Sequence, residues 1–229
     1  MFERGESEGV RIINEWETGM SWMAHPEEKA ERVSHAIRTA DGVWIFDPLN
    51  APNIDQLISD LGKVAGVAVL SCWHSRDADL FAEKYGSSVY LPEWMGRVQQ
   101  RVNAPIKRYA EFPCSDLCAI PSRPYSFWDE VFLYQETSET LFIPDSLGTI
   151  GSFLVGQEVL GLQLLRRLRS PHQLSDLDPD RILVGHGEGV MENSGAVLEE
   201  ALREPRKQFP RALVRNGPAT LRNIIKTLG

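Results

Sequence analysis

Residues 66–77 read Gly66-Val-Ala-Val-Leu70 followed by Ser71-Cys72-Trp73-His74-Ser75-Arg76-Asp77. The first part is a short continuous apolar run, which suits a central strand buried on both faces. The second is a polar loop rich in groups that carry chemistry. Upstream, Asn53 to Gly62 places Ile54, Leu57, Ile58 and Leu61 on one helical stripe, with Asn53 as cap and Gly62 as stop. Downstream, Asp77 to Tyr85 reads as a second helix with Leu80, Phe81 and Tyr85 on one face, and Ser88 to Leu91 as the next strand. The order is therefore helix, strand, polar loop, helix, strand. The loop sits where a buried strand ends and a helix begins, the edge of a layered α/β fold at which ligands bind.

Working outward, Val10 to Trp16 predicts a short strand. Ser34 to Thr39 and Val43 to Phe46 predict a hairpin around Asp41-Gly42, ending at Asp47-Pro48. Pro92 to Pro124 shows little pattern. Glu130 to Tyr134 and Thr140 to Ile143 predict two strands that end at Pro144-Asp145. Leu160 to Leu168 predicts a Leu-rich helix, whose Arg166, Arg167 and Arg169 would form a solvated face. Ile182 to Val184 is a last strand running into Gly185-His186-Gly187, followed by helices over Ser194 to Arg203 and Thr220 to Leu228.

The 229 residues, with no internal repeat, predict a single α/β domain over 1–229. A hydrophobic fraction of 42% with six Trp and nine Phe excludes a disordered chain, a collagen-like repeat and a disulfide scaffold. No apolar run is long enough for a membrane span. The first nine residues, with Glu3, Glu6 and Glu8, lack the apolar core of a secretory signal, and three Cys cannot all pair within one chain. Together these predict a reducing, cytoplasmic location. A net charge of −8 argues against a nucleic-acid partner. The expected partner is a small-molecule substrate or an anion, with the stripe at Leu221, Ile224, Ile225 and Leu228 as a homodimer contact or a sheet cover.

Three strands share one design: an apolar run that stops at a polar residue. Cys72, His74 and Asp77 follow Val67 to Leu70, Asp145 follows Leu141 to Ile143, and His186 follows Ile182 to Val184. Rigid strands can hold side chains at fixed positions, and His, Asp and Cys are the ligand types for zinc-like metals. In this order, and together with the hairpin Asp41-Gly-Val-Trp-Ile-Phe-Asp-Pro48, the segments resemble the metallo-β-lactamase superfamily over roughly residues 33–203. The resemblance implies an αβ/βα sandwich of two mixed β-sheets flanked by helices, with metals at one edge.

The family motif after the central strand is His-x-His-x-Asp-His. By resemblance, His74 falls on the second His, Asp145 on the metal-bridging Asp and His186 on the final His. Cys72 stands at the first His, Arg76 at the motif Asp and Asp77 at its last His. The loop expected to carry the middle His matches Pro121-Ser-Arg-Pro-Tyr125, which has none. The resemblance thus implies at most one metal ion, Zn, Fe or Mn, held by some of His74, His186, Asp145 and Cys72. Asp77 or Asp145 would act as base, and Arg76 would stabilise an oxyanion or anionic substrate. Two readings stay open. One is a mononuclear hydrolase acting on an ester, thioester or similar bond through metal-activated water. The other is a non-catalytic member without metal that binds a small anion or a protein.

Other features read as structural. Cys114 and Cys118 form no second pair with other Cys, His35 lies within a predicted strand, and His25 and His172 lie outside the strand-end pattern. Trp73 either lines the pocket or packs in the core. Gly148-Thr-Ile-Gly151 lacks the third Gly of a dinucleotide loop, and no phosphate loop, Gly-x-Ser-x-Gly or His-Glu-x-x-His occurs.

Overall fold

The computed structural model describes residues 9–215. Seven strands form the first sheet in sequence order: β1 (Arg11–Trp16), β2 (Gly19–Met23), β3 (Val33–Thr39), β4 (Gly42–Phe46), β5 (Val64–Ala68), β6 (Val89–Pro92) and β7 (Ile106–Tyr109). The first four are antiparallel neighbours, and β4 to β7 run parallel. The connections between parallel strands carry helices α1 (Ile54–Leu61), α2 (Ala78–Lys84) and the short α3 (Gly96–Gln99). The second sheet has the order β13-β10-β9-β8, from β8 (Leu117–Tyr125), β9 (Trp128–Gln135), β10 (Thr140–Ile143) and β13 (Arg181–Val184). A two-stranded ribbon, β11 (Leu147–Gly148) with β12 (Gly161–Leu162), lies beside it, and α4 (Ser194–Arg203) packs on β13.

Strand alternation explains the layers. Val131 and Leu133 of β9, Phe142 of β10 and Leu183 of β13 join the main core with the first sheet. Their neighbours Phe132, Leu141, Ile143, Ile182 and Val184 point the other way, into a second core with Leu198, Ala201 and Leu202 of α4. One face of the second sheet thus meets the first sheet, and its other face meets α4. On the far side of the first sheet, α1 packs on β3, and α2 on β5 and β6. Gly66 allows close packing within that sheet: a Cβ there would lie 2.3 Å from the Trp44 ring, its register neighbour. The molecule is the expected αβ/βα sandwich.

Several local expectations need correction. Asn53 precedes α1 in the left-handed region, at φ 61°, and its side chain makes no capping bond. Leu80 is 43% exposed rather than on the buried face of α2. Residues 160–168 hold β12 and a 3-10 turn, Leu164–Arg167, instead of an α-helix. Arg166 and Arg167 are buried there. Arg167 binds Glu158 at 2.6 and 2.9 Å and the Phe153 carbonyl at 2.7 Å, whereas Arg166 lies over the Trp128 ring and 3.9 Å from Glu130. Arginine stems pack like apolar chains when the head finds partners, so the Leu-rich segment turns its cations inward. The unpatterned stretch 92–124 supplies β7 and much of β8. The Thr220–Leu228 stripe lies outside the described residues.

His35 of β3 is buried in the core, where its Nδ1 sits 2.8 Å from Ser21 Oγ. Burial depresses its pKa to about 3. The imidazole is therefore neutral in the folded protein but protonates near 6.5 when unfolded. Its contribution to stability is fully present above pH 6.5 and is lost as pH falls toward 3. The unfolding free energy in urea should decline over that window, by up to about 5 kcal/mol from this group, and His35→Gln should flatten the decline. An unchanged slope in the variant would refute this account.

Candidate metal centre

The two sheets are joined along one edge, and the joints position the strand-end residues. After β5 the chain crosses to β9: the Val131 N–H donates to the Leu70 carbonyl, and the Cys72 N–H to the Asp129 carbonyl, both at 2.8 Å. After β13, Gly185 accepts from the Val33 N–H at 2.9 Å and Gly187 donates to the Glu31 carbonyl at 2.9 Å. Gly185 is required at this joint, since a Cβ there would lie 2.1 Å from the Pro144 carbonyl oxygen. That close approach brings the residue after Pro144 against the residue after Gly185.

Those residues are Asp145 and His186, and His74 joins them. The Nε2 of His74 lies 3.2 Å from Asp145 Oδ1, and the Nε2 of His186 lies 3.1 Å from the same oxygen. The two rings are 5.6 Å apart. His74 and Asp145 are buried, and His186 forms the more open side. Each histidine has its other nitrogen committed. His74 Nδ1 donates to Asp47 Oδ2 at 2.7 Å, and His186 Nδ1 donates to the Ala30 carbonyl at 2.7 Å. When neutral, each imidazole is held by those bonds in the Nδ1–H tautomer, which leaves its Nε2 with a lone pair. Two lone pairs then converge on a carboxylate oxygen, an arrangement that needs protons or a cation among the three atoms.

The electrostatics follow this geometry. Burial and Arg76 oppose charge on His74, but Asp145 and Asp47 outweigh them and raise its pKa. Burial would raise the Asp145 carboxyl, yet His74 and the hydrogen bond from His186 hold it well below the usual carboxylate range. Asp145 Oδ2 is buried without a hydrogen-bond partner among the described residues. Two imidazoles with outward-held Nδ1 atoms, one carboxylate and an orphaned oxygen suit a divalent ion. The three ligand atoms lie within 4.8 Å of one another, and His₂-carboxylate is a donor set used by catalytic zinc and iron.

The other expected site residues lie elsewhere. The Cys72 Sγ accepts from the Asp129 N–H at 3.4 Å and faces the Phe127 carbonyl at 3.8 Å, outside the cluster. Burial pushes its thiol up to about 12, which disfavours a free thiolate. Asp77 accepts from the Asn50 N–H at 2.8 Å and starts α2. Arg76 is buried at φ 38°, with Nη1 donating to the Val33 carbonyl and, at 2.9 Å, to the Asp47 carbonyl. Its Nη2 lies 3.3 Å from both the Gly185 carbonyl and His74 Nε2. Its four Nη hydrogens are thus occupied within the protein, and none faces an incoming anion. Trp73 is half-buried and packs on Trp128 at 4.8 Å.

Two important residues were not singled out by the sequence. Asp47, 2% exposed, accepts from the Leu70 N–H through Oδ1 at 2.8 Å while Oδ2 holds His74. It carried the same signal as Asp145, an acid directly after an apolar strand. Glu130 is fully buried and receives the Asp145 N–H at 3.3 Å, the Ser146 N–H at 3.1 Å and the Ser146 hydroxyl. Burial raises its pKa to about 7 against the attraction of Arg166. It opens the apolar run Glu130 to Tyr134, and no local pattern marks it as buried.

No family model matches the chain, and no curated protein does. Solved structures do. FIM-1 metallo-β-lactamase from Pseudomonas aeruginosa, in its mono-zinc form, is 11% identical over 90% of this chain and 99% of its own, with a TM-score of 0.58. A putative diflavin flavoprotein fragment from Nostoc sp. PCC 7120 is 15% identical over 88% and 97%, at 0.59. TTHA1623, solved in a di-iron-bound form, is 18% identical over 72% and 92%, at 0.54. The chain has the metallo-β-lactamase fold.

Two substitutions test the supporting residues. Asp47→Asn tolerates the positive φ but replaces the acceptor at His74, so His74 should shift toward the Nε2–H tautomer in ¹⁵N NMR. Any metal affinity should fall by roughly 10–100-fold. An unaltered tautomer and affinity would remove Asp47 from this role. Glu130→Ala strands two buried N–H groups and Arg166, and should cost about 3–5 kcal/mol in urea unfolding, with Glu130→Gln milder.

Proposed function

We propose that the protein is a hydrolase with a single divalent metal ion, Zn, Fe or Mn, held by His74, Asp145 and His186. The observation that carries this reading is the convergence of both Nε2 atoms on Asp145 Oδ1, with each Nδ1 already bound outward. A divalent cation held there supplies Lewis acidity and brings water's pKa down toward neutrality. The chain's own residues do the rest. Asp47 keeps His74 in one tautomer and one orientation. Asp145, with Oδ2 unpartnered, is placed to accept a proton from attacking water. Glu130 and Ser146 fix the turn that carries Asp145. The substrate bond is an ester, thioester or similar group, attacked from the more open His186 side.

Arg76 supports the limit of one ion. A fixed guanidinium beside His74 repels a second cation and cannot itself coordinate one. The same contact favours a second reading. The Arg76 Nη2–H can donate to His74 Nε2, and protons can satisfy the cluster without metal, giving a non-catalytic protein that binds a small anion or a partner.

Elemental analysis of protein purified without a His tag separates the two. The hydrolase reading expects close to one equivalent of Zn, Fe or Mn per chain. That equivalent should be lost in His186→Ala, together with turnover on a thioester and ester panel. Protein that takes up no metal, even on reconstitution, would overturn it in favour of the non-catalytic reading.

A further inference from the structure

Outside the cluster, three arginines share one open cavity of about 680 Å³. Arg97 and Arg101 come from α3 and the turn after it, and Arg123 comes from β8. Gly96, Gln100, Ser126 and Asp129 complete the lining. Arg97 and Arg101 lie one helical turn apart on one side of the segment, a like-charge spacing that costs stability. Among the described residues, neither guanidinium has a hydrogen-bond or ion-pair partner. Arg123 donates to Asp129 Oδ1 at 3.1 Å and lies over the Trp94 ring at 5.7 Å, which sets its direction. The lining therefore carries three cations against one carboxylate, in a chain of net charge −8.

The cavity is linked to the metal centre through the backbone of Asp129. Asp129, its acidic wall, exchanges hydrogen bonds with Cys72 through both its N–H and its carbonyl. Cys72 lies two residues before His74, within roughly 8 Å by chain geometry. The next residue, Glu130, holds the turn of Asp145. Strand β9 thus supplies one wall residue of the cavity, Asp129, and, in Glu130, the acceptor that holds the turn of Asp145.

We propose that this cavity binds the phosphate group of a phosphate-bearing small molecule. The excess of two positive charges matches a phosphate dianion, and planar guanidinium forks suit its oxygens. Its role as the anchor for a hydrolase substrate rests on the metal-site reading given above, whereas the binding itself does not.

The test uses inorganic phosphate titrated calorimetrically into chelator-treated protein at low ionic strength, so that no metal contributes. Saturable binding is expected. It should weaken by about tenfold or more in Arg97→Ala and Arg101→Ala, both exposed substitutions, and should survive in His186→Ala. Acetate should bind more weakly than phosphate. Binding that is absent in the wild type, or unchanged in both arginine variants, overturns the proposal, and acetate binding as tightly as phosphate overturns its assignment to phosphate. Failure of metal uptake alongside arginine-dependent phosphate binding would remove the hydrolase and leave this site standing.

Discussion

The Asp47 carboxylate ties together the elements on which the rest of the site depends. It stands at the end of β4, at φ 48°, where the chain must turn sharply toward Pro48. One oxygen takes the Leu70 N–H just beyond the neighbouring parallel strand, and the other takes His74 Nδ1. A single side chain thereby fixes where β5 ends, how the following loop leaves the sheet and which His74 nitrogen faces inward. A buried carboxylate with two charge-assisted or backbone donors has little freedom to move. The inward Nε2 then has a defined position, against which Asp145 and His186 must be placed by the other sheet.

The second sheet places them through a joint built largely from backbone. Gly185 gives up its side chain so that β13 can approach Pro144, and the Val33 and Glu31 backbones grip the loop beyond. Arg76 reaches the remaining carbonyls of that joint, from Val33, Asp47 and Gly185. A buried guanidinium is costly to desolvate, and here carbonyl dipoles with the Asp47 and Asp145 charges offset that cost. The resemblance in sequence expects an acid at position 76. An arginine there exchanges a coordinating group for a structural cation that holds the two sheet edges together, which is compatible with one bound ion and hostile to two.

Much of this was legible in the sequence, for a physical reason. Strands 64–68, 140–143 and 181–184 are short apolar runs that stop abruptly, and whatever follows such a run lies at a sheet edge. His74, Asp145 and His186 could be found that way, and the structure brings them together. Cys72 and Asp77 follow the same strand and were expected with them, but a loop that crosses to β9 turns each in its own direction. Strand position fixes location within a few ångströms, whereas side-chain direction in a loop depends on hydrogen bonds to distant residues such as Asp129 and Asn50. Arg166 reads as part of a solvated face because charge beside an apolar run suggests surface, and nothing local marks Glu130 as buried. Only the pairing of the two across the fold makes their burial tolerable.

The distribution of arginine bears on how net charge should be read. A sum of −8 is an argument about the average surface, and it speaks against anionic partners only if the charge is evenly spread. It is not. Arg76, Arg166 and Arg167 are withdrawn into the interior, where they face carbonyl dipoles and where Asp47, Asp129, Glu130 and Asp145 are also buried, so the buried charges nearly balance. Arg97, Arg101 and Arg123 are concentrated around one cavity. The remaining surface is therefore more acidic than the total suggests, and the cavity more basic. A low-dielectric wall beside such a cavity focuses its field, so a small anion would experience the local excess of cations rather than the charge of the whole molecule. At close range, placement outweighs the sum.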